Sequence, residues 1–329
     1  MGDIVLVHAA RERLSGHVRE TPMLSSPFLD KVAGRRILVK AECLQHTGSF
    51  KFRGAWAAIT ALPEGQSSRG VIAFSSGNHA QGVAYAARLK GLPACIIMPS
   101  DAPVTKIRGT RSFGADVVHY DRESEDRESV VERVNSSRRM TLIRPFDDPA
   151  VISGQGTCGL EIAEQSLQAG IGDAEVLVPC GGGGLTSGIS LALEAHAPHL
   201  RVRPCEPEGF DDVARSLKSG VIERNERESG SICDAILTPS PGNLTFPIMS
   251  RLCGPGIAVS DGECLRAMAL AFAHLKIVVE PGAATGLAAA IFHGDRIERD
   301  TAIVVTSGGN VDHDTFAQAL ASPTPFPEQ

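Results

Sequence analysis

The chain of 329 residues is 43% hydrophobic and 21% charged, proportions of a soluble globular enzyme large enough for two domains or one large α/β unit. Its net charge of -6 argues against a general nucleic-acid or acidic-membrane binder, and no run of about 18 apolar residues marks a transmembrane helix. Eight cysteines without a CxxC pair or a Cys/His cluster exclude a spaced zinc site and predict reduced, largely buried thiols in a cytoplasmic protein.

In chain order, "MGDIVLVHAARERLSGHVRE" is amphipathic and broken by charges, unlike the long apolar centre of a signal peptide. "QHTGSFKFRGA", residues 45–55, reads as a turn into a helix, with Lys51 between Phe50 and Phe52. That lysine is either a surface cation lying along apolar neighbours or an amine desolvated between two aromatic walls. From residue 70 to 147 strands and helices alternate, the pattern of a parallel α/β unit. "GVIAF", "PACIIMP", "ADVVHY" and "MTLIRP" are the strands, and "GNHAQGVAYAARLKG", "TKIRGTRSFG" and "RESVVERVNSS" the helices. A second set follows, with strands "AEVLVPC", "RVRPCEP" and "TAIVVTS". Its helices are "GQGTCGLEIAEQSLQ", "LTSGISLALEAH", "DDVARSLKSG", "GECLRAMALAFAHL" and "GAATGLAAAIFHG". Residues 222–247, rich in charge and proline, read mostly as loop.

"VLVPCGGGGLTSGI" carries a strand into Gly181, Gly182, Gly183 and Gly184 and then into a helix. Backbone N–H groups turned inward, together with the helix dipole, suit a phosphate. A P-loop would need Gly-Lys-Ser/Thr where Leu185-Thr186 stand, and the third glycine of a dinucleotide fingerprint is missing. A tight turn needs only one glycine, and the sequence offers no structural use for four.

Three more clusters sit at strand ends or helix starts. "FSSGNHAQG" places Ser75, Ser76, Gly77, Asn78 and His79 where α/β proteins bind ligands, or simply caps a helix through Ser76 or Asn78. "VVTSGGNVD" repeats the design with Ser307, and "VVEPG" sets Glu280 before a helix-starting proline. A desolvated lysine is a Schiff-base nucleophile, and the phosphorylated aldehyde that uses one is pyridoxal 5′-phosphate.

On these residues the chain resembles the serine/threonine dehydratase and serine racemase family, the fold-type II pyridoxal-phosphate enzymes, from about Ser15 to Asp312. "TGSFKFRGA", "SSGNHAQGVA", "PCGGGGL" and "SGGNVD" occur in the family's order. The resemblance implies a tryptophan synthase β-like α/β fold: two open domains with mostly parallel sheets, a large one at 1–69 and 148–329 and a small mobile one at 70–147. It implies that Lys51 carries the cofactor and Phe50 lies near its ring. Asn78 would meet the ring oxygen, Gly181, Gly182, Gly183, Gly184 and Leu185 the phosphate, and Ser307 the ring nitrogen, with Glu280 close by. Ser75, Ser76, Gly77, Asn78 and His79 would receive the substrate carboxylate. "CEPEGFDDVARSLKSG" resembles the family's Mg²⁺ or Ca²⁺ segment, with Glu206, Asp212 and the carbonyl of Phe210 as ligands. The same two acids also read as helix N-terminal charges.

The reaction implied first is β-elimination from L-threonine or L-serine, giving a 2-oxo acid and ammonia, with Lys51 taking the Cα proton. A serine at position 307 is neutral and weakens the electron sink, which suits elimination better than transamination. Serine racemase is the nearest rival, because Ser76 could supply an acid/base on the face opposite Lys51. Dehydratases of 3-hydroxyaspartate or of hydroxyectoine breakdown fall within the same resemblance. The cysteine-forming sulfhydrylases differ at the lysine motif and carry threonine where His79 stands. A silent cofactor-binding protein is the reading from another class. The partners expected are an amino-acid substrate and a second copy of the chain in a homodimer.

Overall fold

Two sheets gather the alternating strands, as apolar runs separated by helices require. The computed structural model describes residues 3–75, 77–102, 104–121 and 124–323, with only the backbone of Ser67 and Thr105. Its strands are β1 (Met23–Ser25), β2 (Arg36–Lys40), β3 (Val71–Phe74), β4 (Ala94–Pro99) and β5 (Asp116–Tyr120). They continue as β6 (Thr141–Leu142), β7 (Ala174–Pro179), β8 (Leu200–Pro207), β9 (Ile257–Val259) and β10 (Thr301–Val305). The helices are α1 (Ile4–Leu14), α2 (Pro27–Ala33), α3 (Lys51–Thr60), α4 (Glu64–Ser67), α5 (Asn78–Leu89), α6 (Val104–Ser112) and α7 (Arg127–Arg138). After them come α8 (Pro149–Gln168), α9 (Gly184–His196), α10 (Asp212–Ser219), α11 (Thr245–Leu252), α12 (Asp261–Leu270), α13 (Pro281–Phe292) and α14 (His313–Ala321).

The larger sheet runs β1-β2-β10-β7-β8-β9, parallel throughout except for β1, which pairs antiparallel with β2. The smaller sheet, β5-β4-β3-β6, is wholly parallel. Central strands covered on both faces favour apolar runs, and β3, β4 and β7 are buried at every position. The one charge among them, Glu175 of β7, is paired to Arg203 of β8 at 2.9 Å. Helix α13 buries its first ten residues, almost all small, and this lets it lie close on the sheet. A methyl at Gly286 would stand 3.0 Å from the Leu177 carbonyl. Seven of the eight cysteines are buried, Cys253 is partly buried, and all are free. Among the described residues no helix is long and apolar enough to cross a membrane.

Local signals explain most boundaries. Asp148 accepts hydrogen bonds from Ala150 and Val151, and Pro149 takes the first helical position, so α8 begins five residues before the glycine-rich run that the sequence suggests. Ser260 and Glu263 form a capping box at α12. β1 and β9, of three residues each, β2, and helices α2, α4, α11 and α14 go beyond the pattern read from sequence. The stretch read as loop at 222–247 holds a 3₁₀ turn at Asp234–Ile236 and the start of α11.

Candidate active site

The turn before α3 is shaped by backbone, not by side-chain preference. Thr47 and Gly48 both adopt positive φ, and a side chain at Gly48 would run into Asn310, 2.6 Å away. Ser49 then pairs with Gly308, and the Phe50 N–H donates to the Ser307 carbonyl at 3.1 Å. Lys51 is thereby set at the first position of α3, beside the end of β10. Its Nζ donates to the Pro145 carbonyl at 2.9 Å and lies 5.1 Å from the centre of the Phe50 ring. Burial lowers the amine to about 8, against the opposing charge of Glu280. The surface-lysine reading therefore fails. Phe50 is the wall expected of it, but Phe52 is not. Phe52 faces away into a cluster with His46, Tyr85 and Trp56.

The loop after β3 approaches from the other sheet. Ser76 lies outside the described residues. Gly77, not Asn78, occupies the cap position of α5, and the Asn78 side chain is engaged elsewhere. Asn78 donates to Glu280 at 2.6 Å and accepts from Asn310 at 2.7 Å. Simple capping does not explain Asn78. His79 is buried, with Nε2 against the Ile143 carbonyl at 2.9 Å. Burial and the Lys51 charge push its ring down to about 3, so it is neutral. A neutral imidazole brings no charge to a substrate carboxylate, whereas the open N-terminus of α5 offers backbone donors.

Each glycine of the loop after β7 has a neighbour that excludes a side chain. A methyl at Gly181 would meet the Ile236 carbonyl at 2.9 Å, and one at Gly182 would collide with the Phe146 ring. Gly183 has φ 89° and would press on Met249, while Gly184 abuts Phe146 Cβ at 3.0 Å. Close packing is thus the structural use for four glycines that the sequence leaves unexplained. The loop is still a cradle for an anion: among the described residues, the N–H groups of Gly181, Gly182, Gly183, Gly184 and Leu185 find no acceptor at the start of α9. Thr245 Oγ1 and the Gly242 N–H hold the Gly182 carbonyl, and Asp147 in turn caps the N–H groups of Asn243 and Leu244.

These parts line one cavity of about 870 Å³. Phe50, Lys51, Ser75, Gly77, Asn78, His79, Gly181, Gly182, Gly183, Gly184, Leu185, Glu280 and Ser307 all border it. Glu280 stands at the cap position of α13 without capping it, and burial raises its carboxyl to about 7, against Lys106 and the Asn78 hydrogen bond. Gly308 has room for no Cβ because the Glu280 carboxylate occupies that space. The sequence reading missed Pro145 and Phe146, although "RPFDDP" between a strand and a helix is a loop signal at the ligand-binding end of a strand. It also missed Lys106, whose ammonium pairs with Asp234 at 2.6 Å on the cavity wall.

Glu206, Phe210 and Asp212 lie apart from this cavity. Glu206 accepts from the N–H groups of Val213 and Ala214 at 2.8 and 2.7 Å, as the helix-terminus reading expects. Asp212 accepts from Asn225 through Oδ1, and its buried Oδ2 has no hydrogen-bond partner among the described residues. Among the described residues no three His, Cys, Asp or Glu side chains converge as metal ligands.

Comparison with known proteins extends this geometry. Residues 14–308 match the family model described as pyridoxal-phosphate dependent enzyme. The chain is 43% identical to the L-threo-3-hydroxyaspartate ammonia-lyase of Pseudomonas sp, over 94% of this chain and 96% of that protein. It is 38% identical to the serine racemase of Oryza sativa subsp. indica, over 97% and 94%. Among solved structures, the threonine deaminase of T.th. superposes with a TM-score of 0.89 at 43% identity, covering 94% of this chain and 99% of that one. Maize serine racemase gives 0.91 at 38% identity, with 97% of each chain covered.

Proposed function

Since the chain belongs to the pyridoxal-phosphate dependent enzymes, as fold-type II members do with two mostly parallel α/β sheets, we propose that it is an ammonia-lyase of β-hydroxy amino acids. The observation that carries this is the pairing of a desolvated Lys51 with a neutral Ser307 on the wall of one cavity. When bound, pyridoxal phosphate supplies an aldehyde for an amine and a ring that spreads negative charge from Cα. The residues fit it: the partnerless N–H groups at 181–185 suit its phosphate, Phe50 its ring and Asn78 its ring oxygen. At about 8, the Lys51 amine exists in both protonation states near neutral pH, as a group that takes and returns a Cα proton must. Its hydrogen bond to Pro145 fixes the direction from which it acts. Ser307, on the cavity wall, would offer the ring nitrogen of the bound cofactor a hydroxyl and no formal charge, a neutral partner that suits elimination better than long storage of charge.

Within this class we place 3-hydroxyaspartate ahead of L-threonine and L-serine. Support comes from Arg127 and Arg224 on the cavity wall, which suit a second carboxylate, and from the ammonia-lyases of 3-hydroxyaspartate among the relatives. L-Threonine and L-serine are the second reading, supported by the likeness to threonine deaminase. We also propose that the unit at 70–147 closes over the substrate, and that a divalent cation completes Asp212 Oδ2, Glu206 and the Phe210 carbonyl. The test is release of 2-oxo acid and ammonia from L-threo-3-hydroxyaspartate, L-threonine and L-serine, with chiral analysis of the remaining amino acid. A kcat/KM at least about tenfold higher for the dicarboxylate is expected, the worth of one charge-assisted contact. Higher kcat/KM on threonine would sink the substrate ranking, and D/L interconversion without 2-oxo acid would make the protein a racemase.

A further inference from the structure

The proposed chemistry leaves unused a group of four charges packed behind Lys51, three of them fully buried. Arg53, two residues along α3, is one of the three and grips two carboxylates at once. Its Nε and Nη2 donate to Glu42 at 2.8 and 2.7 Å, and its Nη1 and Nη2 to Glu161 at 2.6 and 2.8 Å. Lys40, also fully buried, donates to Glu161 at 2.5 Å, to Gln165 at 3.0 Å and to the Thr21 carbonyl at 2.7 Å. Thr21 closes the group by donating to Glu42 at 2.5 Å. Two cations face two anions, with every strong donor directed.

The members come from separate elements. Lys40 ends β2, Glu42 follows it in a 3₁₀ turn, Arg53 stands on α3, and Glu161 lies in the middle of α8. A further bond ties the same parts, because the free N–H of Gly54 in the first turn of α3 finds Gln155 of α8 at 3.2 Å. On its carbonyl side, Lys40 accepts from the Thr306 N–H at 3.0 Å and from its hydroxyl at 3.3 Å, next to Ser307. The Cys43 N–H holds the Thr306 carbonyl at 2.8 Å. One group of side chains is therefore continuous with both reactive positions, Lys51 through the helix turn and Ser307 through the strand end.

Apolar residues of similar volume would hold the same elements together at least as tightly, since a buried ion pair seldom adds net stability over good packing. What a forked guanidinium adds is direction: it accepts one orientation of two carboxylates and no other. The rest of the buried face of α3, with Phe52, Trp56, Ile59 and small residues, packs by shape and adds no second charged group to the helix's contacts. We propose that Arg53 and Lys40 are positioning residues, whose lattice with Glu42 and Glu161 holds Lys51 and Ser307 in one fixed relation across the cofactor ring. The inference rests on the family's cofactor and not on which amino acid is consumed.

The test is made on the enzyme loaded with pyridoxal phosphate, using Arg53→Lys, which keeps the charge and removes the fork. Visible circular dichroism of the bound cofactor reads ring orientation without substrate, so a wrong substrate leaves it valid. The expected result is retained cofactor, at least a halving of the visible dichroism, and a kcat lowered about 10- to 100-fold with KM nearly unchanged. A lower melting temperature with wild-type dichroism and wild-type kcat would overturn the proposal, because it is what a merely structural pair would produce. If Arg53→Lys does not fold, Glu161→Gln decides in the same way. It leaves Arg53 its fork on Glu42 and loosens only the link to α8, and wild-type dichroism there overturns the proposal too.

Discussion

Two sets of buried charges lie within a few residues of each other and behave in opposite ways. In the cavity, Lys51 and Glu280 have no ion pair among the described residues, and burial drives each toward its neutral form, to about 8 and about 7. In the lattice behind them, burial also opposes charge on Glu42 and Arg53, yet their mutual attraction prevails and holds Glu42 low and Arg53 high. Depth alone does not decide ionisation. Matching does, and the unmatched pair is where protons can move.

The sharpest break in this comparison is truncation on each side. Lys51→Ala should lower turnover by about 10²- to 10⁴-fold, the worth of a positioned proton carrier, while leaving unfolding free energy unchanged or raised. Arg53→Met, by stranding two carboxylates, should destabilise the fold by about 3–5 kcal/mol in urea unfolding. Equal destabilisation by the two changes would erase the distinction.

Glu280 gives a smaller effect with a definite sign. Its folded value, about 7, lies above the ordinary 4.5, so the folded state holds a proton that the unfolded state releases. Its contribution is full below about pH 4.5 and is lost as pH rises through 7, on the order of 3 kcal/mol. Glu280→Gln should remove that slope from the difference between unfolding curves, and parallel curves for the two proteins would contradict it. The smallest effect concerns the acid pair outside the cavity. Mg²⁺ or Ca²⁺ at about a hundredfold excess over Kd should raise unfolding free energy by about 2.7 kcal/mol, and Asp212→Asn should abolish the gain. No shift with either ion would remove the cation site.

What could be read from sequence was what short spacing controls. The lysine turn, the glycine loop and the two polar strand ends are each only a few residues long, and all converge on one cavity. Phe52 was misjudged because one helical step turns a side chain by about 100°, so neighbours in sequence face different surroundings. The uses of the four glycines stayed hidden because their neighbours, Phe146, Ile236 and Met249, are far away in the chain. The lattice was invisible for the same reason: Lys40, Glu42, Arg53 and Glu161 look like unrelated charges until α8 is laid against α3. Strands β1 and β9, at three residues, are too short for a period to show.

The strand order carries a consequence for how the molecule is made. β10 comes last among the strands yet sits between β2 and β7. A nascent chain halted before Thr301 therefore presents two open edges of apolar strand in the centre of its main sheet, the kind of template that pairs with other chains. Ser307 follows that strand by two residues. Closure of the sheet and completion of the cofactor pocket are thus one event, so an unfinished chain has neither a sealed core nor a working site.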